Sequence, residues 1–381
     1  TTGTLWTALD SENVLQEEAI PSGRQLTSSN PLQVESVKNS VESMNLQLRA
    51  KQDLQEVNFF PATLTNENGN KLSAECFETL WAKYVYCGDG TNEIGKEGYK
   101  GKGHYPDALV PMQNIIEADE NRISKNCNQT IWINVHIPKD AKAGTYTGNA
   151  KIIFGKAEYK VPMKVKIYNV TLSDKLNSRS MFGCWRDQIE KGMGTDHFYA
   201  EVRNNYYKFA EDHRINIGSY RENDFEVYEN DKSTFAEFFA REIAFNDRIS
   251  TYRIEPGEGK EADVNEYKAY LNALITKNIE LLNQGFDVNF FDKIAFYTSD
   301  EPDTTSKWNT LKTENQAIQN AVNAVKYRLD NYPKLKASLE DWINLTPFGN
   351  EYTVKQVGTI LPEYMRTPCP QFSDVESASM R

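Results

Sequence analysis

Ile294-Ala295-Phe296-Tyr297-Thr298-Ser299-Asp300-Glu301-Pro302 decides how this chain is read. A run of apolar and β-favouring residues leads straight into two adjacent carboxylates and then a proline, with Phe290 and Phe291 just upstream. A short continuous apolar run of this kind predicts a strand buried on both faces, as in a parallel sheet. Pro302 has no N–H to give to a ladder and ends the strand. Asp300 and Glu301 are then expected at the carboxyl end of a buried parallel strand, where α/β barrels carry their chemistry. Within a regular strand, neighbouring side chains point to opposite faces, so only one of the pair would face a barrel axis. At a strand end the chain has begun to turn, and both can reach the mouth. The same stretch also suits an acidic helix N-cap, because Asp303 and Thr304 follow and a long helix pattern begins there.

The rest of the chain sets the context for that strand. Its 381 residues suggest two domains, and 39% hydrophobic with 25% charged residues is a globular composition. A net charge of −11 argues against a nucleic-acid or anionic-membrane partner, since either would be repelled. No apolar run reaches the 18 or so residues of a membrane-spanning helix. Aromatic residues make up 12% of the chain, which suits stacking surfaces such as sugar sites as well as aromatic cores. A start at Thr1-Thr2-Gly3 is expected of a processed chain. Cys76, Cys87, Cys127, Cys184 and Cys369 show no CxxC spacing, and the histidines at 104, 136, 197 and 213 are scattered, so no metal site is expected. In an oxidising compartment Cys76 and Cys87 would be able to pair. Sequons at Asn128, Asn169 and Asn344 are glycosylation candidates and allow a secreted glycoprotein.

Residues 1–175 read as β. Leu5 to Leu9 is an opening strand, and Met44, Leu46, Leu48 and Ala50 alternate with Asn45, Gln47 and Arg49, which predicts one wet face. Val57 to Phe59 and Ala82 to Cys87 are further strands. Ile131, Ile133, Val135 and Ile137 share one face, and Trp132, Asn134 and His136 the other, before Pro138 stops the strand. Tyr146 to Phe154 returns, and Gly155 turns the chain into Tyr159, Val161, Met163, Val165 and Ile167. Strands this closely spaced predict antiparallel sheets packed as a sandwich. His136 reads as solvated, and His104 as a loop residue within reach of a domain junction.

From 176 to 381 the period changes to alternating strands and helices. Ser180 to Trp185, Arg214 to Tyr220, Arg248 to Ile254, Ile294 to Tyr297 and Lys334 to Leu339 read as successive strands. Phe198, Val202, Tyr206 and Phe209 stripe one helix. Phe235 to Ala244 marks a second, and Tyr267 to Leu282, closed by Gly285, a third. Trp308 to Leu329 is a fourth, ended near Pro333. So many β-α units in succession favour a (β/α)8-type barrel over a doubly wound sheet.

Several segments together resemble glycoside hydrolase family 123 and its relatives with the domain of unknown function 4091. They are Val41 to Leu48, Tyr105 to Pro111, Asn134 to Pro138 followed by Ala143 to Gly148, His213 to Asn216, and Ser299-Asp300-Glu301-Pro302. The resemblance implies a β-sandwich followed by a catalytic barrel, and an exo-acting β-N-acetylgalactosaminidase with a substrate-assisted retaining mechanism. Carried over, Asp300 orients and polarises the substrate's 2-acetamido group, whose carbonyl oxygen attacks the anomeric carbon. Glu301 protonates the leaving oxygen and then activates water. Retaining enzymes with a protein nucleophile need carboxyls about 5 to 5.5 Å apart across the bond. When the substrate supplies the nucleophile, neighbouring residues suffice. An Asp300 charge beside Glu301 would help it keep the proton that a general acid needs.

Other strand-end residues are expected to bind the sugar: Trp185 and Arg186 at the first strand, Tyr220 and Arg221 at the second, Tyr297 in the fourth, and Glu340 and Trp342 after the fifth. Barrel packing is the alternative for Trp185 and Trp342, and a surface ion pair for Arg186 and Arg221. No cofactor is implied. A glycan substrate or ligand is the expected partner, in an extracellular or periplasmic setting. A full barrel takes about 250 residues and roughly 200 follow the sandwich, so the barrel is expected to be incomplete at its C-terminal side. Its open edge calls for cover from a second copy or another chain. A catalytically silent member, with the same fold serving carbohydrate binding or extracellular assembly, is the alternative reading.

Overall fold

The computed structural model describes residues 2–9, 12–88, 100–183, 189, 191–192, 200–218, 231–254, 264–299, 302, 304–348 and 367–370. The chain divides into two compact units, Thr1–Ser173 and Asp174–Arg381.

The first unit is mostly sheet. Its strands are β1 (Gly3–Ala8), β2 (Leu32–Lys38), β3 (Ser40–Ala50), β4 (Asn58–Phe60), β5 (Leu64–Thr65), β6 (Lys71–Leu72), β7 (Phe77–Cys87), β8 (Gly103–Pro111), β9 (Asn128–Ile137), β10 (Gly144–Phe154) and β11 (Ala157–Thr171), with one short helix, α1 (Met112–Glu117). One antiparallel sheet runs β1-β3-β9-β7-β8, and a second runs β2-β11-β10-β5-β6 with β4 also on β10. Alternation decides which residues go inside. Met44, Leu46 and Leu48 of β3 and Ile131, Ile133 and Val135 of β9 meet Tyr146 and Ile152 of β10 and Val161, Met163 and Val165 of β11 in one core. Between Ala82 and Lys83 the register of β7 on β8 slips by one residue, with Ala108 at φ 56° as the extra residue of a bulge.

Two expectations for this unit are overturned. The polar face of β3 is not wet, because Asn45 and Gln47 are buried. Leu9 and residues 12–18 lie across that face, and their carbonyls take up its donors. Asn45 donates to the Leu9 and Glu12 carbonyls at 3.2 and 3.4 Å, and Arg49 to Glu18 at 2.7 Å. Gln47 completes the layer by donating to Thr130 Oγ1 at 2.7 Å. Alternation reports the pleat, not what later covers it. Cys76 and Cys87 are both free thiols. Cys76 immediately precedes the 11-residue strand β7 and Cys87 ends it. At about 3.3 Å per residue they stand roughly 36 Å apart, far beyond the ~7 Å a disulfide tolerates.

In the second unit, β12 (Tyr252–Ile254), β13 (Ile294–Tyr297), β14 (Asn344–Phe348) and β15 (Thr367–Pro370) form a parallel sheet in chain order. Two short segments extend that order: Phe182 bridges Ile217 in parallel, and Arg253 N–H donates to the Gly218 carbonyl at 2.8 Å. The intervening helices are α2 (Ala200–Asp212), α3 (Lys232–Phe238) prolonged by a π-type turn (Phe239–Ala244), α4 (Val264–Asn283), α5 (Thr305–Val325) and α6 (Pro333–Glu340). The apolar stripes of α3 to α6 pack with Tyr252, Ile254, Ile294 and Phe296 into one core. Gly285, at φ +93°, closes α4, with Phe286 N–H bonded to the Leu281 carbonyl at 3.0 Å. Among the described residues the strands do not close into a ring.

Lys334 to Leu339 is not the fifth strand. It lies within α6, whose first residue is Pro333 and whose buried side chains are Leu335 and Leu339. A short apolar run suits either element, and here a proline pre-set for the first helical position and an i,i+4 leucine pair settle it. The strand follows instead as β14. In α2 the buried residues are Tyr207 and Ala210, while Tyr206 and Phe209 are exposed, so the packed face is turned by one residue from the stripe read in the sequence.

Gly218 marks a close approach. A Cβ there would stand 2.3 Å from the Thr251 carbonyl oxygen and 2.9 Å from Met181 Cγ. Gly218→Ala is expected to cost about 2–4 kcal/mol in denaturant unfolding. Gly192→Ala, where a Cβ meets open space, is expected to leave the midpoint unchanged or raised.

Candidate active site

The carboxyl end of β13 is where the expected site should form, and its two faces have separate roles. Ile294 and Phe296 point into the helix-side core, where Tyr267 and Trp342 meet the Phe296 ring edge-on at 5.5 and 5.9 Å. Ala295 and Tyr297 take the other face. Arg253 of β12 pairs in register with Ala295, and its guanidinium carbon stands 4.5 Å over the Tyr297 ring. Arg253 is 7% exposed, so this cation–π contact is largely desolvated.

Beyond Tyr297 the chain leaves the ladder but stays held. Asn344, the first residue of β14, donates from Nδ2 to Thr298 Oγ1 at 2.9 Å and to Asn315 Oδ1 at 2.5 Å. Ser299 Oγ donates to Glu314 Oε2 at 2.5 Å. Glu314 and Asn315 are buried on α5. Burial pushes the Glu314 carboxyl above its ordinary range, and the hydrogen bonds from Ser299 and Thr298 pull the other way. Thr304 caps α5, its hydroxyl accepting from Lys307 N–H at 3.3 Å, so a threonine fills the helix N-cap.

Asp300, Glu301, Trp185, Arg186, Tyr220 and Arg221 lie outside the described residues. Tyr297 is half-buried at the end of β13, as described. Glu340 and Trp342 do not belong with it. β14 runs parallel to β13 with Asn344 level with Phe296, so residues 340–342 sit toward the amino end of the sheet. There Glu340 ends α6 and pairs with Lys326 at 3.0 Å, while Trp342 is core, its indole N–H donating to Gln319 at 3.0 Å. A hollow of about 660 Å³ also lies at the amino end, lined by Phe245, Asp247, Asp292, Lys293, Tyr332 and Leu335. Burial holds Lys293 down to about 8, with Asp247 opposing.

Two of the three sequons are closed. Asn344 is fully buried in the network above, and Asn128 is fully buried with its amide donating to the Leu15 and Glu18 carbonyls. Asn169 is exposed, touched through its side-chain oxygen by Lys38 at 2.9 Å. His104 pairs with Glu17 inside the first unit, and His136 lies 3.4 Å from Glu78 on an exposed face. Among the described residues no group of three or more His, Cys, Asp or Glu is arranged to hold a metal, and no helix is long and apolar enough to cross a membrane.

Residues 24–153 match the family model for the glycoside hydrolase 123 N-terminal domain. The match lies within the first unit. Among solved structures, the chain is similar to a family 123 glycoside hydrolase from Clostridium perfringens at 13% identity and a TM-score of 0.48, covering 98% of this chain and 68% of that one. It is also similar to the CooA pilin subunit of enterotoxigenic Escherichia coli at 11% identity and a TM-score of 0.23, covering 45% and 99%. A third similarity is to MyfA, the major subunit of Myf fimbriae from Yersinia enterocolitica, at 9% identity and a TM-score of 0.20, covering 44% and 98%. At these scores a likeness fixes neither topology nor chemistry. No curated protein matches the chain. The family resemblance read from the sequence is thus found in the glycoside hydrolase 123 N-terminal domain.

Two residues escaped the sequence reading, and each left a signal. Arg253 alternates with the core residues Tyr252 and Ile254, an odd place for a charge in a buried strand. Glu314 falls on the apolar stripe of Trp308, Leu311 and Ile318, again a charge where packing asks for none. Expressed in a host that attaches N-glycans, the folded protein is expected to carry them at Asn169 alone. Intact mass before and after enzymatic deglycosylation checks this, with Asn169→Gln abolishing the shift.

Proposed function

We propose that the chain is a glycoside hydrolase, acting as an exo-β-N-acetylhexosaminidase on β-linked N-acetylgalactosamine by substrate-assisted retention. One observation carries the reading. The signature carboxylates follow directly on a parallel strand whose last residues are anchored from both sides, in a sheet whose strands lie in chain order. Sequential order without a reversal supports barrel winding, since a doubly wound sheet changes direction at its switch point. On this reading the segments at 182 and 217 and the strands β12 to β15 are the first six strands of a (β/α)8-type barrel. The domain match over residues 24–153 supports the same family.

Asp300 then holds the acetamido N–H, turning its carbonyl oxygen toward the anomeric carbon. As that oxygen forms its bond, the glycosidic C–O bond breaks, and the leaving oxygen takes the proton of Glu301. Glu301, now a carboxylate, takes a proton from water as it opens the cyclic intermediate with retention. Tyr297, with Arg253 stacked on it, offers an aromatic wall beside the departing chain. Trp185, Arg186, Tyr220 and Arg221 are proposed to contact the sugar from the first two strands. No step calls for a metal or cofactor, and the proposed setting is extracellular or periplasmic.

Hydrolysis of a chromogenic β-N-acetylgalactosaminide is the test. Glu301→Gln is expected to lower kcat by at least about 100-fold, and Asp300→Asn comparably, with the fold intact by circular dichroism. Full turnover in Glu301→Gln overturns the assignment of the acid. No turnover by the wild-type chain across a panel of β-hexosaminides overturns the hydrolase reading in favour of a carbohydrate-binding or assembly protein.

A further inference from the structure

Among the described residues, Glu314 is the carboxylate that falls in the buried class. Its neighbours along α5, Leu311, Ala317 and Ile318, are apolar core, so packing alone gives no reason for a charge there. A carboxylate in such a place costs stability unless its hydrogen bonds achieve something. Its bonds go to Ser299 and Thr298, the two residues between the last ladder residue of β13 and Asp300. From the other side Asn344 of β14 holds Thr298, and through the same amide Asn315 of α5. The exit of β13 is therefore clamped between a helix and a neighbouring strand, by side chains that the expected chemistry does not use.

We infer that Glu314 is a positioning residue, fixing through Ser299 and Thr298 the direction in which Asp300 and Glu301 leave the sheet. This rests on the reading of that pair as catalytic. A carboxylate suits the role because two oxygens can accept from two hydroxyls at once. The need for such a clamp is quantitative, since a displacement of about 1 Å in a reacting group can cost roughly 100-fold in rate.

Glu314→Gln keeps the volume but loses one acceptor. It is expected to lower kcat about 10- to 100-fold with KM within about twofold. Ser299→Ala should give a similar loss, and the double variant no more than the larger single loss, because both break one unit. Stability should move the opposite way. Glu314 faces Thr298 and Ser299 just beyond β13 and Tyr267 from α4, whose hydroxyl is kept neutral by burial and by the Glu314 and Glu266 charges. Its folded pKa lies above the unfolded value of 4.5, so the native state binds the proton more tightly. Stability is then lost as pH rises from the unfolded pKa through the folded one. Removing the carboxylate is expected to hold or raise Tm near pH 7, with a larger gain there than at pH 4.5. A residue that merely supports the fold would instead lower Tm, and a fall in Tm paralleling the fall in kcat overturns the inference, as do additive losses in the double variant.

If the wild-type chain hydrolyses nothing, the proposed function fails by itself, and hydrogen exchange decides about Glu314. Amides across residues 297–304 should exchange at least about tenfold faster in Glu314→Gln, with β9 to β11 unchanged. An unchanged rate in that segment overturns the clamp.

Discussion

The amide of Asn344 joins three elements of the second unit. From the start of β14 it donates to Thr298, just past the end of β13, and to a buried side chain of α5. In a parallel sheet, neighbouring strands are joined only through distant crossovers, so the relative height of their ends is set by contacts rather than by turns. A fully buried amide with fixed partners sets that height, and leaving either partner unmatched in a dry interior costs about 1–3 kcal/mol. Helix, strand and strand are thereby locked at one level, and the exit of β13 inherits that precision. Glu314 and Ser299 extend the same lock by one residue toward the carboxylate pair.

Polar groups organise the first unit in a comparable way, on a larger scale. The core between the sheets is apolar and follows from alternation in β3, β9, β10 and β11. On the outer face of the five-stranded sheet, Asn45, Arg49 and Asn128 donate to main-chain carbonyls of Leu9, Glu12, Leu15 and Glu18. Glu12 and Glu18 fasten that segment further, to Arg24 and to Lys100. Around Asn45 and Gln47 the sheet is thereby dry on both faces, while Glu78 and His136 on the same sheet stay exposed.

Much of this was legible in the sequence, and the misreadings share a physical origin. β9 to β11 declared themselves because a period of two with β-branched residues has few other solutions. The apolar run into Asp300 and Glu301 gave β13 at the expected place, with parallel neighbours. Failures came where local pattern met tertiary context. Asn45 and Gln47 looked solvated because nothing local announces a distant covering segment. Lys334 to Leu339 looked like a strand because six residues are too few to separate the two periods, although Pro333 marked a helix start. Glu340 and Trp342 inherited that mistake and were assigned to the wrong end of the sheet. Asn128 and Asn344 carry sequons that sequence alone leaves open, and only burial closes them.

The bulge in β8 has a bearing on how the first unit behaves in crowded solution. β8 is the last strand of its sheet, and its outward backbone groups are taken at His104, whose carbonyl accepts from Gln16 N–H at 3.0 Å and whose N–H donates to Glu17 at 3.3 Å. Pro106 and Pro111 withhold two N–H groups from that row, and Ala108 in its left-handed conformation kinks what remains. An incoming strand would find the donor spacing broken in the middle and missing at the end. The unit thus resists edge-to-edge assembly through backbone geometry, together with the cover that Gln16 and Glu17 give the strand at His104.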